Sequence, residues 1–344
     1  MAELNIISMD EVQSKEVNWL WYPYIPYGKI TIIQGDPGEG KTTLALRLAA
    51  LLSKGEALPY DDTEREPVKI IYQTAEDGLE DTIKPRLEAA EADCTQIKVI
   101  DESEAVLSML DERIEKAIIE VGARVVILDP IQAYVGANIN MNNANEVRNV
   151  MAQLGRIAEK YDCAVLLVGH MNKGSGNKSS YRGLGSIDFQ ASARSVLIVG
   201  RIKDNPQVRV MVQDKSSLAP EGEPIAFELG KENGFRWLGH YDISVDDLLS
   251  GIPKEKKSEQ AENLILEYLS KGKYPQQALL KKAQAVGISK RVLDEAKKAL
   301  NVQSVKEGSQ WYWQLPEKRD EVFQGCNIAK AGTPATLQSS FFGK

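Results

Sequence analysis

Gly35, Asp36, Pro37, Gly38, Glu39, Gly40, Lys41, Thr42 and Thr43 stand in a row as GDPGEGKTT, and Gly35 through Thr42 match G-x-x-x-x-G-K-[ST] at every fixed position. The chemistry that needs this pattern is the holding of phosphates. Glycines let the backbone curl until its N–H groups face anionic oxygens, and a helix beginning near Lys41 turns its positive end to the same place. Lys41 would reach the β and γ phosphates and the Thr42 hydroxyl would ligate Mg²⁺, so the implied cofactors are ATP and Mg²⁺. The context is the required one, with apolar ITII before the loop and helical LALRLAALL after it.

A nucleotide held with Mg²⁺ calls for a carboxylate at the end of another buried strand. VVILDP offers Asp129 after four apolar residues, which makes it the metal-holding candidate beside Thr42. Hydrolysis also needs a group that orients or deprotonates water. YQTAEDG ends a second apolar run and puts Glu76 in that role, with Asp77 either carrying it instead or capping the helix that follows near Gly78–Leu79. LLVGHMNK brings His170 to the carboxyl edge of a fifth strand, where ligands bind in open α/β sheets, and marks it as a γ-phosphate sensor. The next stretch, NKGSGNKSSYRGLGS, spaces Lys173, Lys178 and Arg182 along a polar loop suited either to plain solvation or to a nucleic-acid backbone.

These side chains need a frame. From Lys29 to about Trp237, short β-branched runs alternate with longer amphipathic stretches, which predicts an α/β fold with a mostly parallel sheet. The early runs, from KITIIQG to AVLLVGH, are nearly all apolar, as parallel strands covered on both faces are. SVLIVGR, VRVMVQD and PIAFEL follow one another without helices between them and predict an antiparallel extension at one edge. The aromatic stretch from Trp19 to Tyr27 is expected to cover the sheet edge or a neighbouring subunit, with base stacking as the other option.

The chain divides by composition into a lead-in (1–28), the α/β domain (29–241), a linker (242–261), a small module (262–316) and a tail expected to be disordered (317–344). The small module reads as helix, helix, Gly turn at Gly287, helix and hairpin, which predicts a winged helix. Ser289 is placed to cap its third helix, Val292, Ala296 and Ala299/Leu300 form the expected buried stripe, and Lys290, Arg291 and Lys298 lie toward the other face. Between Gly251 and Leu315 twelve Lys/Arg stand against seven Asp/Glu, so a chain of net charge -7 concentrates its basic character there. Bulk coating of nucleic acid is excluded by the overall charge, and any such contact must be local. Cys94, Cys163 and Cys326 are far apart with no CxxC spacing, and no apolar run reaches the roughly 18 to 20 residues of a membrane span. A cytoplasmic protein without membrane contact is the expectation.

The order GDPGEGKTT, AED, VVILDP, LVGHMNK resembles the RecA-like ATPases, and the region from about Ile6 to Gly239 resembles their RepA-like hexameric helicase branch, related to the DnaB, RadA and KaiC groups. The lead-in WLWYPYIPYGKITIIQGDPGEGKTT looks like ATPases carried by phages, plasmids and integrative elements. The resemblance implies a ring, usually a hexamer, with ATP at subunit interfaces and a basic side chain from the neighbour completing each site. It implies Glu76 as catalytic carboxylate and His170 as sensor, with the loops around Tyr134–Asn145 and Lys173–Arg182 facing a channel for single-stranded DNA. Lys215 matches the first basic position of the family's Lys-x-Arg pair, but the second falls on Ser217, which leaves Arg201 as a substitute guanidinium. The winged helix would take duplex DNA or a protein. The resulting expectation is an ATP-driven, helicase-like motor on DNA, and the alternative is a nucleotide-switched loader or regulator without unwinding.

Overall fold

The computed structural model describes residues 6–137, 139–171, 188–230, 234–250, 257–270, 272–285, 288–308 and 310–316. The chain forms two compact units, Met1–Pro253 and Lys254–Lys344. Lys173, Lys178, Arg182, Gly287 and the tail 317–344 lie outside the described residues.

In the larger unit a hairpin of β1 (Trp19–Trp21) and β2 (Ile25–Pro26) leads into β3 (Ile30–Gly35) and α1 (Lys41–Ser53). Then come β4 (Ile70–Thr74), a π-helical turn (Leu79–Ile83), α2 (Lys84–Ala89), β5 (Ile97–Lys98) and α3 (Glu112–Val121). They are followed by β6 (Val125–Asp129), α4 (Ile131–Tyr134), α5 (Ala144–Lys160), β7 (Ala164–His170) and α6 (Asp188–Ser192). β8 (Ser195–Ile202), β9 (Asn205–Ser216), β10 (Ile225–Gly230), β11 (Gly234–His240) and α7 (Val245–Ser250) complete it.

Nine strands form one sheet in the order β11-β10-β9-β8-β3-β7-β6-β4-β5. β5, β4, β6, β7, β3 and β8 pair in parallel, and β9, β10 and β11 are added antiparallel beyond β8. This is the mostly parallel α/β architecture with an antiparallel extension that the strand pattern predicts. Alternation sorts each parallel strand between two cores. Ile33, Tyr72, Ile127, Leu166 and Leu197 face α1, while Ile32, Ile71, Val126, Leu167 and Val196 face α3, α4 and α5. Asn143 caps α5 by accepting from the Asn145 N–H, and Val147, Val150, Met151, Leu154 and Ala158 bury its inner stripe. Tyr134 and Val135 are buried in that core, so the expected channel-facing stretch 134–145 does not face solvent at its start.

The lead-in aromatics cover the sheet on the α1 side. Trp21 is fully buried, donates its indole N–H to the Pro59 carbonyl at 3.0 Å, and lies with ring centroids 4.6 Å from Tyr24 and 6.4 Å from Trp237. Tyr24 donates to the Glu223 carbonyl at 2.7 Å. The expected linker 242–261 departs from expectation: α7 occupies its first half and docks on β8, and α8 begins before its end. Leu248 explains the docking, because a Cβ at Gly200 would lie 2.8 Å from its Cγ. Low apolar density had concealed one well-placed leucine.

The smaller unit contains α8 (Lys257–Leu269), β12 (Tyr274–Pro275), α9 (Gln276–Ala285), α10 (Lys290–Ala299), β13 (Gln303–Glu307) and β14 (Gln310–Gln314), with a three-stranded sheet ordered β12-β14-β13. Ser289 accepts from the Val292 N–H as the cap of α10. The buried stripe of α10 is Leu293 and Ala296 with Val292 and Leu300 partly buried; Ala299 is exposed, so of the expected pair Leu300 holds, and Leu293, which the expected stripe omits, is added. Ala261, Ile265, Leu279 and Trp313 complete this separate core. Lys290, Arg291 and Lys298 are exposed.

Trp21→Ala is expected to cost about 3 to 5 kcal/mol, since it removes a buried ring and leaves a cavity. Chemical unfolding followed by circular dichroism tests this, and a loss under about 1 kcal/mol would remove the hairpin from the core.

Candidate nucleotide site

β3 runs straight into the phosphate loop, and the loop is built around what its glycines permit. A Cβ at Gly35 would sit 2.1 Å from the Val199 carbonyl oxygen of β8, so no side chain fits where the loop leaves the sheet. Gly38 and Gly40 hold φ of 78° and 90°, the left-handed region open to glycine, and Gly40 is the N-cap of α1. Lys41 is only 5% exposed and donates to the Asp36 carbonyl at 2.9 Å. Burial holds its ammonium below the usual lysine range, against the pull of Asp129, Glu39, Asp36 and Glu76.

The other site residues come from neighbouring strands ending at the same edge. Gly35 lies opposite His170 of β7, and Thr74 of β4 lies opposite Asp129 of β6. Asp129 is 7% exposed, and burial raises its carboxyl above the usual range. Hydrogen bonds with the Thr42 and Tyr72 hydroxyls and the charge of Lys41 oppose that rise. Tyr72 donates to Asp129 Oδ2 at 3.0 Å, and burial together with Asp129 drives its own phenol well above the ordinary value. Nothing in the sequence marks Tyr72 beyond its place two residues before the end of β4.

Glu76 is exposed just past β4 and reaches across to His170, with Oε2 3.8 Å from Nε2. His170 Nδ1 is buried without a partner, and Gln132 donates to the His170 carbonyl at 3.3 Å. Asp77 does not cap the following turn. Gly78 is the N-cap, with no side-chain bond, and Asp77 pairs instead with Arg86 at 3.0 Å. The π-helical start displaces the carboxylate from the free N–H groups.

The two finger candidates lie on neighbouring antiparallel strands, Arg201 near the end of β8 and Lys215 near the end of β9. Arg201 Nη2 donates to the Gly38 carbonyl at 3.0 Å and lies 3.6 Å from Glu39, so its guanidinium rests on the phosphate loop of its own chain. Lys215 is opposite Val196, about 16 Å back along the strand at the usual rise per residue. Its Nζ donates to the carbonyls of Gln190 and Ala191 at the end of α6, and burial and the nearby Arg194 hold it below the usual lysine range. Arg194 is exposed and was not singled out from sequence, because it lies two strands of chain away from Lys215. Beside α1, a groove of about 440 Å³ is lined by Thr43, Arg47, Arg86, Leu229 and Phe235 among others.

An AAA domain family model matches residues 4–176, half of the chain, and takes in the phosphate loop, Glu76, Asp129 and His170. The chain belongs to this family. The chain is 31% identical over 166 residues to the DNA repair protein RadA of Halalkalibacterium halodurans, covering 47% of this chain and 32% of that one. RadA of Bacillus subtilis is 28% identical over 148 residues, with 42% and 28% covered. The chain thus spans about a third of the length of these curated relatives. Among solved structures, the ATPase domain of G40P is 15% identical over 62% of this chain and 85% of that chain, with a TM-score of 0.47. A KaiC-like protein from Pyrococcus horikoshii is 19% identical over 62% and 91%, with a TM-score of 0.44. Among the described residues no helix is long and apolar enough to cross a membrane.

The AAA domain offers a direct test of its buried charge. A carboxyl whose folded pKa is raised destabilises the fold once ionised, and the penalty disappears as pH falls through that pKa toward the unfolded value of 3.8. In Mg²⁺-free buffer Asp129→Asn is therefore expected to melt above wild type at neutral pH, with a gap that closes on acidification. A gap independent of pH would show that burial does not govern this carboxyl.

Proposed function

We propose that this AAA domain protein is an ATP-hydrolysing, ring-forming motor that acts on DNA. The observation that carries the reading is the convergence of Lys41, Thr42, Glu76, Asp129 and His170 from four strands at one sheet edge. The residues fit ATP and Mg²⁺: a buried carboxylate and a hydroxyl form a hard oxygen donor pair, and the lysine beside them is held without a carboxylate partner of its own. Bound Mg²⁺ would neutralise phosphate charge there, with Thr42 and Asp129 holding it. Gly35 through Thr43 cradle the phosphates through backbone N–H groups, and the groove between Arg86 and Phe235 has room for base and ribose. Glu76 orients and deprotonates the attacking water. His170, within reach of Glu76 and beside Gly35, reports the γ-phosphate to the following segment, whose Lys173, Lys178 and Arg182 supply cations for a single strand.

Assembly follows from Lys215. It lies on β9 level with Val196, away from its own phosphate loop, and we read it as serving a neighbour's, with Arg194 beside it in place of the guanidinium absent at Ser217. A hexameric ring is the form we infer. The DNA substrate is suggested by the relatives named DNA repair protein RadA and by the basic small unit, which we read as a winged helix contacting duplex through Lys290 and Lys298. Arg291 is the weaker contact there, since it is tied to Glu295 at 3.0 Å. A cytoplasmic role in replicating a phage, plasmid or integrative element completes the proposal. The serine at 217 favours a second reading, a nucleotide-switched loader with slow hydrolysis.

Lys41→Ala is expected to abolish nucleotide binding, and Glu76→Gln to keep binding while lowering turnover by about 10² to 10⁴. Single-stranded DNA should stimulate the wild-type ATPase, less so as salt rises. Turnover indifferent to all DNA, together with ATP-dependent assembly on gel filtration, would replace the motor by the switch.

A further inference from the structure

The outer side of the phosphate loop carries a charge cluster that the nucleotide chemistry does not use. Glu39 has its side chain mostly covered, and its Oε2 is buried without a hydrogen-bond partner. Arg201 stands over it, bonded to the Gly38 carbonyl at 3.0 Å and 3.6 Å from Glu39 Oε1. Arg209 faces Arg201 across the β8–β9 ladder, is 9% exposed, and has a buried Nε without a partner. The three groups sit where the antiparallel extension meets the loop: a Cβ at Gly40 would lie 2.7 Å from Leu229 Cδ1 and 3.9 Å from Arg209 Nε.

A carboxylate two residues before Lys41 is a poor neighbour for a polyphosphate. It repels the ligand and competes for the same ammonium, and its charge acts at short range in a water-poor place. Arg201 answers both effects, since it draws the Glu39 carboxylate outward and fixes the Gly38 carbonyl so that the N–H groups that follow remain turned to the phosphates. Arg209 adds a second positive charge from beneath, and burial and the repulsion of Arg201 hold it below the usual arginine range.

We propose that Arg201 is a positioning residue acting in cis: with Arg209 behind it, it screens Glu39 from the phosphate seat and sets the affinity of its own chain's loop for nucleotide. This rests on the nucleotide reading above and parts from the expectation of Arg201 as a finger for a neighbour. The trans role then belongs to Lys215 and Arg194 alone.

The test uses the full chain, a fluorescent ATP analogue for binding, and steady-state ATPase assays. Arg201→Ala is expected to weaken binding and raise KM roughly tenfold, the scale of one charge-assisted bond, with kcat at saturating ATP changed by no more than about twofold. Arg201→Lys should fall between, because it keeps charge and loses the planar fork. Adding Glu39→Gln to Arg201→Ala should recover most of the affinity, since the charge to be screened is gone. Arg201→Ala binding as tightly as wild type overturns the proposal, as does a loss that Glu39→Gln leaves untouched. A fall in kcat that mixing with Lys41→Ala subunits repairs would return Arg201 to the neighbour's site. Wild type that fails to bind the analogue would instead overturn the nucleotide reading itself.

Discussion

Two charges are buried at the carboxyl edge of the sheet, and neither satisfies the other. For Lys41 and Asp129 alike the largest effect is burial, which pushes the ammonium down and the carboxyl up despite their mutual attraction. Such a pair persists only if the fold around it is stable enough to carry the cost. That support comes from two apolar cores pressed on opposite faces of one sheet, with the strands beneath the charges buried on both sides.

The same geometry explains why the site is assembled from distant stretches of chain. Parallel pairing with matched register brings Gly35 beside His170 and Thr74 beside Asp129, so residues far apart in the chain end at one level. The loop between β3 and α1 and the ends of β4, β6 and β7 thus bring Lys41, Glu76, Asp129 and His170 to one place. Glycine at 35 is the hinge of this arrangement because the neighbouring strand leaves it no side-chain volume.

The parallel strands and the phosphate loop were legible in sequence because each obeys a local rule, an apolar run covered on both faces or a fixed glycine spacing. β11 was not, since Leu238 falls on the solvent side of a strand whose burial alternates: Leu238 is exposed, and the half-buried Phe235 and Trp237 find their partners on β10 and β1. Tyr72, Arg194 and the cis contact of Arg201 depend on which strands become neighbours, which no window of sequence contains. The expected α10 stripe of Val292, Ala296 and Ala299/Leu300 left out Leu293, the most buried residue of that helix, because helical spacing from Ala296 is met three residues back as well as four. Asp77 looked like a cap because the sequence does not announce a π-helical turn.

Gly200 and Leu248 form a lock whose parts lie far apart in the chain. The leucine of α7 fills the space that a Cβ at 200 would need, one residue before the arginine that touches the phosphate loop. Neither position is free to drift alone in evolution: a side chain at 200 demands a smaller residue at 248, and a larger residue at 248 is tolerated only while 200 stays glycine. The two sites should therefore change together among close relatives, linking the end of the larger unit to the ancestry of its phosphate loop.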